Sequence, residues 1–66
     1  MSVAKIIEIT SRSDKSFEDA IKSGIVKAGE SVHGIREAWV SQQKVMVEAN
    51  KVVSYQVDLK VTFVLD

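Results

Sequence analysis

Sixty-six residues allow one domain, spanning 1–66, and a chain this short buries only about 60 % of the surface it exposes when unfolded, so it is marginal alone. It has no cysteine for a disulfide or thiolate metal site, and its single histidine, His33, rules out a multi-histidine site within one chain; oligomerisation is the support that remains. Nine basic and nine acidic residues, intermixed along the chain, cancel to zero net charge, and the absence of a basic stripe argues against nucleic acid or an anionic membrane as partner.

No apolar run approaches the roughly 20 residues of a transmembrane helix. The opening MSVAK lacks the apolar core of a signal peptide, so the expected location is the cytoplasm. The first strand is predicted over Val3 to Thr10, where Val3, Ile6, Ile7 and Ile9 are β-branched and suit a pleated surface. Ser11 to Lys15 reads as a polar connection. Ser16 is the expected helix N-cap, with Asp19 three residues on as an aspartate version of the capping box.

Phe17, Ala20, Ile21, Ile25, Ala28 and Val32 then follow spacings of three, four and seven. They form one apolar stripe on a helix predicted to end near His33, with Gly34 as a left-handed C-cap. Gly24 and Gly29 weaken the interior of that helix, and either is a candidate for close approach of another backbone.

The second strand is predicted over Ile35 to Val47, with a change of phase. Ala38 and Val40 fit one face, Val45 and Val47 the other, which points to a bulge or bend near Ser41 to Lys44. Glu48 to Lys51 is a turn. From Val53 to Leu65 the alternation is nearly unbroken: Val53, Tyr55, Val57, Leu59, Val61, Phe63 and Leu65 are apolar, and polar residues stand between most of them. That is a long half-buried strand. The fold class is α+β, a β-α-β-β unit with one helix on a three-stranded sheet, expected to be antiparallel, with a mixed sheet as the alternative. A tight turn about Ala49 and Asn50 sets Trp39 opposite Lys60 on the sheet face away from the helix. A slip of one residue would move Trp39 inside.

The segments VAKIIEITSRSDKSFEDAIKSGI, AWV and YQVDLKVTFVLD resemble the dodecin family over essentially the whole chain. The resemblance implies twelve copies arranged as a hollow homododecamer. It also implies a flavin, riboflavin or FMN, held in pairs between subunits for storage or buffering, without catalysis. In flavin-binding dodecins a tryptophan early in the second strand stacks on the isoalloxazine, and a glutamine in the third strand hydrogen-bonds its polar edge. Gln56, inside Y-Q-V, matches the glutamine. Counting back from it without gaps, the family's W-F-E-V lies over Glu37, Ala38, Trp39 and Val40. Glu37 therefore stands at the stacking position, and Trp39 follows two residues later, about 7 Å along the same face. Lys44 falls where some bacterial members carry an arginine near the ligand tail, and Val64 falls on a second such position.

Stacking on indole requires only a parallel face, and a glutamine amide offers donors and an acceptor to a ring edge presenting both. A twofold axis through such a site would duplicate both residues. Outside that resemblance, Trp39 reads as core or interface packing and Gln56 as a solvated strand residue. His33, Glu18, Asp19 and Glu48 read as helix-end and turn residues. No Ser-His-Asp set, glycine-rich phosphate loop or metal-ligand spacing occurs, so neither a catalytic nor a single-chain metal site is expected. The alternative function is a flavin-free shell of the same kind that holds cations or another small ligand between subunits.

Overall fold

A computed structural model describes residues 2–65. The element order is β1 (Ala4–Ser13), α1 (Phe17–Gly29), β2 (Ile35–Glu48) and β3 (Lys51–Val64). The three strands form one sheet in the order β1-β3-β2, and both pairings are antiparallel. The alternating strand lies in the centre because it alone is hydrogen-bonded along both edges. Its inward residues Val57, Leu59 and Val61 are fully buried, and with Ala20 of α1 they make the core. Phe17, Ile21 and Ile25 of the helix, Ile7 and Ile9 of β1, and Ile35 and Val40 of β2 pack around them.

The first connection starts later than the sequence suggests, and the helix end of it falls where expected. β1 runs on to Ser13 because its polar side chains have partners distant in sequence. Ser11 Oγ donates to the Ala20 carbonyl at 2.7 Å, and Arg12 Nε donates to Gln56 Oε1 at 2.8 Å. Ser13, 9 % exposed, donates to Asp19 Oδ2 at 2.6 Å and accepts from Lys15 N and Ser16 N at 2.9 and 3.4 Å. Ser16 caps the helix as expected, its hydroxyl accepting from Asp19 N at 2.9 Å. The Asp19 carboxylate, however, is held by Ser13, not by the backbone of Ser16.

The helix stops at Gly29 with Glu30 as C-cap, short of His33. Gly34 does adopt a positive φ of 79°, but it serves the entry to β2. Its carbonyl accepts from Val64 N at 3.1 Å, and a Cβ there would meet the Val64 carbonyl at 3.2 Å. Gly24 is the glycine of close approach. A Cβ on it would lie 3.0 Å from Ser11 Cβ, whereas Gly29 has nothing within 4 Å.

The phase change expected in β2 is a bulge at Ser41, between Val40 and Gln42, whose hydroxyl donates to the Asp58 carbonyl at 3.1 Å. A second irregularity between Met46 and Val47 leaves Val53 of β3 as the extra residue, and the two offsets cancel. Trp39 therefore pairs with Lys60, the register that a two-residue turn at Ala49–Asn50 requires.

The fold is thin. Its extents are 51 × 19 × 14 Å and its radius of gyration is 13.6 Å, against about 11 Å for a compact chain of this length. It exposes 4931 Å², whereas a compact 7.3 kDa monomer exposes about 4,200 Å². β1 stops pairing at Ser13–Tyr55, so the end of the β2–β3 hairpin projects past it. Val47, Val52 and Val53 on that projection stay 57, 49 and 40 % exposed.

Candidate functional site

The sheet face turned away from α1 is a grid set by the two registers. Arg12, Gln56 and Lys44 form one row across β1, β3 and β2, and Thr10, Asp58 and Gln42 the next. Glu8, Lys60 and Trp39 follow, then Ile6, Thr62 and Glu37. All four residues singled out from the sequence, Trp39, Gln56, Glu37 and Lys44, stand on this one face. They divide into two ends. Gln56 and Lys44 are direct cross-strand neighbours, and Glu37 and Trp39 lie at the other end. Gln56 and the Lys60 that pairs with Trp39 are four residues apart on β3, or about 13 Å.

Trp39 is exposed, at 67 %, on an edge strand, which settles the alternative between core and surface. The Lys60 ammonium lies 5.2 Å from the centroid of its ring, within range of a cation–π contact. Ala38 and Val40 take the inward positions on either side, opposite Val61 and Leu59. The indole consequently has no wall of its own chain on the sheet side other than Lys60 and its neighbours on this face.

Gln56 is 7 % exposed. The atom facing Arg12 Nε at 2.8 Å is Oε1, because a guanidinium has donors only. Part of the acceptor capacity of the amide is thus already used. Lys44 flanks Gln56 from the other side, so a cationic side chain stands on each side of the amide. In the adjacent row Thr10 Oγ1 donates to Asp58 Oδ1 at 3.0 Å. A cavity of about 30 Å³ lies among Gln42, Gln43, Lys44, Gln56 and Asp58. That space suits a water and no organic ring.

Arg12, in a stretch that reads from sequence as a connecting segment, also stands on this face. The alternation Thr10, Arg12 continuing Glu8 was the available signal. Glu37, opposite Thr62, is exposed. Among the described residues no group of three or more histidine, cysteine or acidic side chains could hold a metal ion. Among the described residues no helix is long and apolar enough to cross a membrane.

The same architecture occurs in known proteins. The chain is 36 % identical over 63 residues to the calcium dodecin of Mycobacterium tuberculosis (strain ATCC 25618 / H37Rv), covering 96 % of this chain and 89 % of the relative. It superposes on a crystal structure of calcium dodecin from M. tuberculosis, described as a calcium-chelating antigen with a novel calcium-binding site, at a TM-score of 0.84. That match has 34 % identity and covers 98 % of this chain and 93 % of the other. Dodecin from Streptomyces davaonensis matches at a TM-score of 0.93, with 25 % identity and coverage of 98 % and 96 %. The family model described as Dodecin matches residues 3–66. With that match over nearly the whole sequence and the β-α-β-β order around a central third strand, the chain belongs to the dodecin family.

Proposed function

We propose that this chain binds a flat aromatic ligand of the flavin class between copies of itself and sequesters it without turnover. The observation that carries the reading is Trp39, a tryptophan left 67 % exposed on a polar sheet face. Aromatic stacking adds roughly 0.5–1.5 kcal/mol beyond area burial, and a second copy across a twofold axis would supply the other side of the stack. The Trp39 and Gln56 rows stand about 13 Å apart along the strand backbone, a separation that favours an extended fused ring over a single six-membered one. Self-association, with the homododecamer as its closed form, is supported by the surface and radius in excess of a compact monomer and by the apolar hairpin end.

Riboflavin fluorescence tests the function. Micromolar protein is expected to quench it, and Trp39→Ala to abolish the quenching. Unchanged emission with the native chain refutes the reading. Light scattering tests the assembly, and a stable monomer near 7 kDa refutes that part.

A second reading, a cation-binding shell, is favoured by one observation: the relative at 36 % identity is named for calcium. Since no described acidic cluster of one chain suffices, the ion would need carboxylates such as Glu37 from several copies. A rise in melting temperature with millimolar calcium, lost in Glu37→Gln, is its expected signature. No rise refutes it.

A further inference from the structure

We infer that Arg12 is a positioning residue for the ligand site: it locks the Gln56 amide in one orientation, so that the group offered to a ligand is the NH2 and the site selects ligand edges carrying hydrogen-bond acceptors. This rests on the flavin reading and adds the polarity of the contact. Three observations carry it. Arg12 and Gln56 are direct cross-strand partners on the outer face. Arg12 Nε lies 2.8 Å from Gln56 Oε1. Gln56 is 7 % exposed, so its side chain has little freedom to swing away.

An amide has two orientations that exchange its oxygen and nitrogen. Against a neutral or ambivalent neighbour both are open. Against a guanidinium, which only donates, one leaves N–H facing N–H, and the other makes a charge-assisted bond. Arg12 therefore removes half of the conformers and turns the NH2 away from itself. It also withdraws electron density through the carbonyl, which sharpens the remaining N–H groups as donors. Lys44, on the other flank of Gln56, is likewise a donor only and cannot accept from that NH2. The unengaged N–H groups are left for an acceptor brought by a ligand. The two carbonyls and the N1 and N5 atoms of an oxidised isoalloxazine meet that demand, whereas its N3–H placed at the same point would not.

The sign of the contact is testable with Gln56→Glu. The carboxylate keeps the bond to Arg12 and presents oxygen where the amide presents NH2. If the ligand takes a hydrogen bond from Gln56, riboflavin affinity falls by about tenfold or more in Gln56→Glu. If Gln56 accepts from the ligand, affinity is retained or rises, and the inference is overturned. Arg12→Leu, at an exposed position, covers the case in which Gln56→Glu does not fold. It frees the amide to turn and is expected to weaken riboflavin at least twofold below the melting transition, with Arg12→Lys recovering most of the loss. A merely structural Arg12 would shift the melting temperature and leave the affinity unchanged, which also overturns the inference. If the native chain leaves riboflavin unquenched, the flavin reading fails and this one falls with it. Quenching by the native chain with unaltered affinity in the variants sinks this inference alone.

Discussion

Lys60 rests over Trp39, its ammonium 5.2 Å from the ring centroid, on the sheet face that carries no helix. An exposed pair of this kind is worth about 0.5–1 kcal/mol. A planar ligand stacking on that face of the indole must displace the lysine, so Lys60→Met is expected to tighten riboflavin up to about fivefold, the equivalent of 1 kcal/mol. A fluorescence titration of the two proteins decides it. Weaker binding in the variant would mean that the ammonium itself touches the ligand.

The hairpin turn is built against the preference of one residue. Ala49 and Asn50 have φ of 51° and 64°, the backbone of a two-residue type I′ turn. Asparagine tolerates this region, whereas for alanine it costs roughly 1 kcal/mol or more. Ala49→Gly is expected to stabilise the fold by about 1 kcal/mol, or about 4–8 °C in the melting temperature of a domain this small. Ala49→Val is expected to lower it. Calorimetry on the two variants checks the sign, provided the assembly state is the same in both.

Two helical glycines are expected to respond oppositely to alanine. At Gly29 there is open space, so the substitution gains helix propensity and stabilises by up to about 1 kcal/mol. At Gly24 the new methyl would sit 3.0 Å from Ser11 Cβ and 3.4 Å from Leu59 Cδ1. Ser11 Cβ is tied to the backbone of β1 and cannot swing away. Overpacking costs about 1–3 kcal/mol and outweighs the propensity gain, so Gly24→Ala is expected to destabilise. Urea unfolding of both proteins tests the contrast, and a stabilised Gly24→Ala would show that α1 can shift on the sheet.

Ser13 joins the end of β1 to the start of α1. It donates to Asp19 and accepts from two backbone N–H groups, and it is nearly buried. Ser13→Ala removes the partner of several polar groups at once, at about 1–3 kcal/mol. Asp19→Asn keeps an acceptor oxygen and is expected to cost less. Denaturation midpoints rank the two, and an equal or reversed order would remove Ser13 as the hub.

The alternation from Val53 to Leu65 determined by itself that a long half-buried strand organises the chain, and Ser16 with the Phe17 to Ala28 stripe determined a capped helix to cover it. Period two and period three to four are local properties, and each is written into consecutive side chains. The bulge in β2 was legible for the same reason, since the apolar phase breaks at Ser41. The length of β1 was not, because Ser11, Arg12 and Ser13 look like a loop until Ala20, Gln56 and Asp19 meet them from distant positions. Trp39 and Gln56 were legible as candidates, but not their states. Whether Trp39 faces solvent depended on two bulges that cancel, and a single one would have turned it inward. The orientation of the Gln56 amide was decided by a guanidinium 44 positions away along the chain. Those outcomes belong to register and cross-strand pairing, and only the assembled sheet brings such residues together.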